Sequence, residues 1–202
     1  KNPTVRKSVE TILADIAKND NQSAVRAEAI SLLGEYDNKA YEPLFLAAIS
    51  DSSYSVAGAG LEALAIVNNT LALAEMKKIK GQPAKGRLAE AISQLLMAGG
   101  SEEDFETVAG NFEEMPMGED KLEALQPFSQ YLAKISDTDK FKRGIDMIVS
   151  VRNAIPGAYQ AQFAPFINGV ILTGIITQKS KELRGNNSAA VKQQIEYVKS
   201  KM

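Results

Sequence analysis

The sequence predicts an all-α protein of the α-α superhelix class, in which antiparallel helix pairs stack in series. Two stretches, Asp20–Leu33 and Asp51–Leu64, repeat the same order of residue types at a fixed offset. The offset is long enough for two short helices with their turns, and a fixed period of this kind is typical of helical-pair repeats. We therefore expect about nine to eleven helices in a single domain spanning 1–202, with regular repeats over 1–80 and less regular ones over 81–202.

The positions shared by the two stretches indicate capping and packing. Asp20 and Asp51 are expected to cap a helix or to lie in its first turn, where a carboxylate accepts hydrogen bonds from free amides and faces the positive end of the helix dipole. Small residues would let a neighbouring helix approach closely, namely Ala27, Ala29, Gly58, Ala59 and Gly60. The apolar stripe consists of Ile30, Leu33, Leu61 and Leu64.

Arg26 directly follows Val25 and resembles the arginine of HEAT-like repeats, which reaches a carboxylate of an adjacent repeat. The resemblance implies stacked pairs of the HEAT or armadillo type, with Asp51 or Asp20 as the partner of this arginine. Anion binding is the alternative role. A weaker echo begins at Val5-Arg6, closer to Val25-Arg26 than one full repeat, and the shorter spacing indicates a truncated first repeat.

The composition suits a globular chain and excludes several kinds of chemistry. Of the 202 residues, 45% are hydrophobic and 24% are charged, which is enough to build a core. The net charge of −2 and the absence of Trp disfavour nucleic acid as a partner. Histidine and cysteine are both absent, so Ser-His-Asp and Cys-His pairs, HExxH zinc sites, thiolate metal sites and disulfides are excluded.

No catalytic, cofactor-binding or metal-ligating residue is assigned to this chain from its sequence. Only carboxylates remain for acid–base chemistry once imidazole and thiol are excluded, and no pair of them forms a recognisable motif. The chain starts at Lys1 without a charged and apolar leader. We therefore expect a fragment of a longer protein.

Breaks and caps divide the first half of the chain into helix pairs. Pro3 suits the first turn of a helix, and Asn68-Asn69 separates two helices. Gly81-Gln82-Pro83 interrupts the repeat pattern before a further helix. The helices predicted here span residues 1–18, 23–34, 41–49, 53–67, 70–79 and 86–97.

An acidic run lies between Ser101 and Glu123, with nine acidic residues and one basic residue, Lys121. A bound metal or a basic partner is one interpretation, and the favoured one is a solvated helix face with capping charges, Ser101 among them. The apolar core beneath this face is predicted to contain Phe105, Val108 and Phe112. Asp137-Thr138-Asp139 could contact a divalent cation, but a helix cap is favoured because further ligands are lacking.

Later helices are predicted over residues 122–135, 140–154 and 163–176, with a last one after Gly185-Asn186-Asn187. The helix 163–176 is apolar around most of its circumference, so we expect it to be the most buried, and it is too short to span a membrane.

The C-terminal segment is basic. Its basic residues are Lys179, Lys181, Arg184, Lys192, Lys199 and Lys201. Favourable charge at helix C-termini and a solvated outer face are favoured over an acidic partner. Arg143, Arg152 and Arg184 could contact a peptide carboxylate, although no motif places them near a cleft.

Four segments in order along the chain resemble the C-terminal helical region of bacterial M1-family zinc aminopeptidases. They read DSSYSVAGAGLEAL (51–64), KGRLAEAI (85–92), EALQPFSQYLAK (123–134) and APFINGVI (164–171). The resemblance implies a parent enzyme that removes N-terminal residues with zinc-activated water, through an HExxH motif, a downstream Glu and a GxMEN-type loop. None of these motifs occurs in the 202 residues, so no catalytic residue is carried over.

The resemblance implies a non-catalytic domain that packs on the catalytic domain of its own parent chain and restricts peptide access to the cleft. Peptide substrate would be contacted only indirectly, and the zinc would belong to the catalytic domain. The alternative function is a stand-alone HEAT-like scaffold that binds a protein partner on its concave face. Neither function requires nucleic acid or a membrane span.

Overall fold

A computed structural model describes residues 3–202, and every regular element among them is helical. The all-α superhelix class predicted from the sequence is confirmed. The helices are α1 (Pro3–Asn19), α2 (Ser23–Glu35), α3 (Glu42–Ile49), α4 (Tyr54–Val67), α5 (Asn69–Ile79), α6 (Gly86–Gly99), α7 (Phe105–Glu114), α8 (Glu119–Leu132), α9 (Thr138–Ala154), α10 (Gly157–Phe166), α11 (Thr173–Asn186) and α12 (Ala189–Lys201). Short 3-10 turns, Lys39–Tyr41 and Glu102–Asp104, precede α3 and α7.

A π-helical segment, Ile167–Leu172, joins α10 to α11 without a break. Counted with this run as one helix, the described part of the chain holds eleven helices, within the predicted range. Residues 1–2 of the first predicted helix lie outside the described residues.

The helices form two compact units, Lys1–Leu95 and Leu96–Met202, and the boundary falls inside α6. The first unit contains both repeated stretches. The single-domain organisation and the change in regularity near residue 80 stay predictions.

Asp20 and Asp51 shape the turns that lead into α2 and α4. The Asp20 carboxylate accepts from the backbone N–H of Gln22 at 2.8 Å, and that of Asp51 accepts from the N–H of Ser53 at 2.8 Å. Gln22 and Ser53 are the N-cap residues of these helices. The predicted cap or first-turn position is therefore wrong by two residues, because each Asp closes a local turn before the helix begins.

Small residues bring the helices of the first unit into backbone contact, as predicted. A Cβ added at Gly58 of α4 would lie 2.6 Å from the carbonyl carbon of Arg87 in α6. One added at Gly60 would lie 2.7 Å from the Cβ of Ala48 in α3. These distances are too short for a side chain, so glycine is what permits the close approach.

Large aromatic side chains fill the second unit. The rings of Phe112 and Phe128 stack with centroids 4.1 Å apart, so α7 and α8 meet through them. Helix α8 begins at Glu119, three residues before the predicted start at Leu122. The prediction followed the first apolar residue, whereas acidic residues in the first turn are favoured by the helix dipole. The fully buried aromatic residues of this unit are Phe105, Phe112, Phe128, Tyr131 and Phe141.

The prediction that the helix 163–176 is the most buried is wrong. Phe166 is 42% exposed and Val170 is 49% exposed, whereas α4 buries nine of its 14 residues. The physical reason is that the run packs through one side only, so Ile167, Ile171, Leu172 and Ile175 are buried while Phe166 and Val170 face solvent.

Candidate interaction surfaces

Arg26 joins consecutive repeats, as predicted. Its Nη2 lies 3.0 Å from Oδ2 of Asp51, and its Nη1 donates to the backbone oxygen of Asp20 at 3.1 Å. The side chains of Arg26 and Asp51 are both mostly buried. These contacts give Arg26 a structural role and leave the alternative of anion binding without support.

Asn38 and Asn68 make a second set of contacts between repeats, which the sequence pattern did not reveal. Asn38 Nδ2 donates to Glu10 at 2.7 Å, and Asn68 Nδ2 donates to Glu42 at 2.9 Å. The side-chain oxygen of each Asn also caps the helical turn that follows it. A signal was present in the sequence, since the Glu and the Asn of each pair both recur about one repeat later.

Glu10 is the most constrained carboxylate of α1. The residue is only 5% exposed. Arg6 Nε donates to one of its carboxylate oxygens at 2.7 Å, and Asn38 donates to the other. The hydrogen bonds from Arg6 and then Asn38 hold the pKa of Glu10 below its usual value.

Arg87 links α6 to two earlier helices of the first unit. It forms an ion pair with Glu62 of α4, in which Nε donates at 2.9 Å, and its Nη2 donates to the hydroxyl of Ser31 in α2 at 2.7 Å. The hydrogen bond to Glu62 raises the pKa of Arg87. This arginine therefore stays charged and acts as a bridge between helices.

An apolar groove of about 860 Å³ lies between α1 and α2. Val5 and Val9 of α1 line the groove and are 57% and 36% exposed, so this face of α1 is open to solvent. Arg6 and Glu35 supply one charge of each sign to the lining. The apolar lining consists of Val5, Val9, Leu13 and Leu32, with the ring of Tyr36.

The acidic run is a solvated helix face with capping charges, as the favoured interpretation predicted, and seven of its nine carboxylates are exposed. Asp104 is buried and accepts from the N–H and hydroxyl of Ser101 in a capping box. Glu102 accepts from the N–H groups of Ser136 and Asp137 at 2.7 and 3.1 Å. Phe105, Val108 and Phe112 form the core beneath, each fully or almost fully buried.

Tyr131 lies under this acidic cap. Its hydroxyl donates to the backbone oxygen of Ser101 at 2.7 Å. Burial, with the charges of Asp104 and Glu102, raises the pKa of Tyr131 well above its usual value. The phenol is therefore a structural donor in its neutral form.

Asp137 caps α9, which confirms the favoured interpretation of the Asp137-Thr138-Asp139 segment. Its carboxylate accepts from the N–H groups of Asp139 and Lys140, both at 2.9 Å. The bond from Lys140 is the main reason that the pKa of Asp137 is lowered. Among residues 3–202, no group of three or more His, Cys, Asp or Glu is placed to hold a metal ion.

Lys179 does not belong to a solvated basic face, so the interpretation of the tail is wrong for this residue. It is 1% exposed, and its Nζ donates to the backbone oxygen of Ile135 at 2.7 Å and to Glu182 at 3.1 Å. Gln194 Nε2 donates to the same oxygen at 3.3 Å. Lys179 therefore supplies a hydrogen bond to a backbone oxygen in the segment that follows α8.

The three arginines considered for a peptide carboxylate are not brought together. Arg143 pairs with Glu106 at 2.6 Å, and Arg152 donates to the side chain of Asn168 at 2.6 Å. Arg184 is exposed near the end of α11.

A second groove, of about 720 Å³, lies in the second unit between the first half of α8 and the run that contains the π-helical segment. Leu122, Leu125 and Phe163 belong to its apolar lining, and Glu119 and Glu123 are its acidic residues. Each unit therefore carries a mostly apolar groove on its surface.

Repeated helix pairs joined by equivalent polar contacts define the first unit as a helical-repeat structure. Residues 10–96 match the family model of HEAT repeats, and the match ends one residue beyond the first unit. No curated protein and no solved structure matches the chain. Helical repeats of this kind commonly mediate protein interactions, so the match fits a scaffold or interaction role. No helix within the described range combines the length and the apolar character needed to cross a membrane.

Proposed function

We propose that this chain is a non-catalytic helical-repeat module that binds another protein, and that a helix of the partner lies along the edge formed by α1 and α2. The observation that supports this function is the exposure of apolar side chains at this edge, at positions whose repeat equivalents are buried. The HEAT-repeat match includes α2 and the second half of α1.

The two repeats give a direct comparison of covered and uncovered positions. Val25 and Leu32 of α2 are 39% and 37% exposed. Their equivalents one repeat later, Val56 and Ala63 of α4, are 2% and 1% exposed. Ala63 is buried against α2, where a Cβ at Gly34 would lie 2.9 Å from the Ala63 Cβ. The face of α2 that is open to solvent is therefore the equivalent of the face through which α4 packs on α2.

The same comparison indicates the chemistry of the partner. Val5, Val9 and Leu32 make this edge apolar, which favours a helix as its cover. Because α4 meets α2 through Ala63 opposite Gly34, the partner helix should carry small residues on its contacting face.

Site-specific photocrosslinking tests this function. Benzoylphenylalanine is placed at Val9, in the groove, and as a matched control at Thr11, which is exposed and does not line the groove. After irradiation in cells that produce the protein, we expect one discrete adduct from position 9 and none from position 11. The captured peptide, mapped by mass spectrometry, should be a helix with small residues on one face.

Reconstituted binding to the captured protein completes the test. Leu32→Glu should weaken binding by about tenfold or more, since it places a charge in an apolar contact, whereas Lys7→Glu on the outer side of α1 should change it little. Equal adducts from both positions, or no loss of binding with Leu32→Glu, would show that this edge is not the binding site. An adduct with a second copy of the chain would also contradict the proposal.

A narrower function rests on the four segments that resemble M1-family zinc aminopeptidases. In this hypothesis the chain is the C-terminal helical domain of such an enzyme, and its partner is the catalytic domain of its own parent chain, which holds the zinc. The α1–α2 edge would then be a contact surface for that domain, and the helical domain would restrict peptide access to the cleft.

Two measurements test the narrower function. The 202-residue chain with added zinc should not hydrolyse aminoacyl-nitroanilides, because it has no histidine for an HExxH site. The natural polypeptide that contains this sequence, purified with an antibody to the chain, should contain zinc and hydrolyse them. If it has neither property, the aminopeptidase hypothesis fails while the interaction module stands.

A further inference from the structure

The groove of the second unit has the size and lining of a binding site. Its volume, about 720 Å³, lies within the range of roughly 300–1,000 Å³ that is common for ligand pockets. Leu125 and Ile167 are buried in its floor, and the ring of Phe166 is 42% exposed at its side. An exposed aromatic ring beside a concave apolar surface is a common feature of binding surfaces.

The charge in this groove has a single sign. Glu119 and Glu123 line it one helical turn apart on α8, no Lys or Arg lines it, and neither Glu makes an ion pair with another described residue. Two like charges at this spacing destabilise a helix slightly, and a cation bound between them would relieve the repulsion.

Lys121, the basic residue closest in sequence, is engaged elsewhere. Its Nζ donates to the backbone oxygens of Glu113 and Met115 at 3.1 and 2.8 Å. It also lies over the ring of Phe112, 5.5 Å from the centroid. This lysine therefore holds the loop before α8 and is not placed to neutralise the groove.

The helix dipole explains only part of this acidic set. Glu119 and Asp120 lie in the first turn of α8, where negative charge is favourable. Glu123 lies beyond the first turn, where this benefit has largely gone. It lines the groove beside Leu122 and adds a second carboxylate to the rim.

The opposite wall, formed by α10, ends at an irregular helical turn whose first residue, Ile167, lines the groove. Ile167–Leu172 is π-helical, and the hydroxyl of Thr173 donates to the backbone oxygen of Asn168 at 2.9 Å, five residues earlier. Segments of this kind are rare and often lie at functional sites. Here the turn accompanies a buried Ile167 directly after an exposed Phe166, so one wall supplies both the floor and the rim of the groove.

We infer that this groove binds a basic amphipathic helix of a partner protein, with apolar residues against Leu122, Phe163 and Phe166 and Lys or Arg against Glu119 and Glu123. An acidic rim around an apolar floor is complementary to such a helix in charge and in hydrophobicity. The inference concerns a different unit from the α1–α2 edge and does not depend on the function proposed for that edge.

A designed peptide provides the probe. A fluorescent helix of about 15 residues carries Leu at i, i+3, i+4 and i+7 and Lys elsewhere, and its counterpart carries Glu in place of Lys. In anisotropy titrations with the full chain, the Lys peptide should bind at least about tenfold more tightly than the Glu peptide. Raising the ionic strength from about 0.01 M to about 1 M should weaken the binding of the Lys peptide.

The charge requirement is tested with a pair of double variants. E119Q/E123Q should weaken binding of the Lys peptide by about threefold to tenfold, as expected for two partly exposed ion pairs. E103Q/E114Q removes the same charge from exposed positions outside the groove and should have little effect. Equal affinity in both double variants would overturn the inference.

The apolar requirement is tested at the rim. Phe166→Ser should weaken binding by about tenfold, whereas Ile66→Ser, at an apolar residue of α4 that is 55% exposed, should not. Circular dichroism of each variant verifies that it is folded. Sedimentation velocity tests whether a second copy of the chain occupies the groove instead. Self-association that E119Q/E123Q abolishes would mean that it does, and would overturn the inference.

Discussion

The two units of this chain achieve close packing in opposite ways. In the first unit, glycine permits helix contact, and the Cβ that Gly58 lacks would overlap the backbone of α6. In the second unit, rings such as Phe112 and Phe128 fill the space between helices. Small residues stand at equivalent positions of the two repeated stretches, Ala27 with Gly58 and Ala29 with Gly60, whereas the stacked rings of the second unit belong to no repeated stretch. Recurrence is what a sequence pattern detects.

Polar contacts follow the same division. Asn38 and Asn68 make equivalent bonds to Glu10 and Glu42. Lys179 of the second unit makes a bond to Ile135 that has no repeat equivalent among the described contacts. The first unit is thus stabilised by polar contacts that recur from one repeat to the next. The second unit is stabilised by contacts such as the Lys179 bond that do not recur.

Among the substitutions that test this comparison, Phe128→Ala should cause the largest loss of stability. Removing a fully buried ring that stacks on Phe112 should cost about 3–5 kcal/mol of the free energy of unfolding. Denaturant titration measures the loss, and hydrogen exchange should place it in residues 96–202. Phe166→Ala, at an exposed ring, is the control and should cost far less. An equal loss of protection in both units would show that they unfold as one.

Lys179→Met should have the next largest effect. The variant keeps most of the buried volume but removes the shorter of two hydrogen bonds to the Ile135 oxygen and the partner of Glu182, so we expect a loss of about 1.5–3 kcal/mol in the same titration. Lys181→Met changes the same residue type at an exposed position of α11 and should stay within about 0.5 kcal/mol. If the two variants unfold alike, the bond at Lys179 contributes little.

Gly58→Ala should destabilise the first unit by about 1–3 kcal/mol, because the new methyl group would force α4 and α6 apart. Gly110→Ala in α7 of the second unit is the matched control. No atom lies within 4 Å of its added Cβ, so it should stabilise the protein by about 0.5–1 kcal/mol through helix propensity. Opposite signs for the two substitutions would sharpen the comparison, and a stabilising Gly58→Ala would contradict it.

The smallest effect concerns pH. The pKa of Glu10 in the folded protein lies below its usual value of about 4.5. The ionised Glu10 therefore contributes fully to stability above pH 4.5, and this contribution is lost as the pH falls through the lower pKa of the folded state. Glu10→Gln should therefore be less stable than the wild type near neutral pH, and the difference should shrink in acid. A difference that does not vary between pH 7 and pH 3 would mean that the charge of Glu10 does not matter.

Much of the first unit could be predicted because its contacts are tied to a period. The Arg26–Asp51 pair was expected from the echo of the two stretches and from its resemblance to HEAT-like repeats, and it is present. The groove between α1 and α2 was not expected. Periodicity shows which face of α1 is apolar, but it does not show whether another helix covers that face.

In the second unit, composition misled at Lys179 and in the helix 163–176. A count of lysines treats each one as solvated, and Lys179 is buried because the chain after α8 presents a carbonyl oxygen to it. Apolar residues around a whole circumference predict burial on all sides, yet Phe166 and Val170 have no neighbour to cover them within the described residues. Both outcomes depend on the placement of distant segments, which local patterns do not encode.

The double role of Asn68 gives a practical rule for protein engineering. Because one side chain both starts α5 and binds Glu42 of the previous pair, a duplicated module would bring its own connector to the module before it. Extra units of one repeat length that retain this Asn and Glu could therefore be inserted to lengthen the array, with Gly at the crowded crossings.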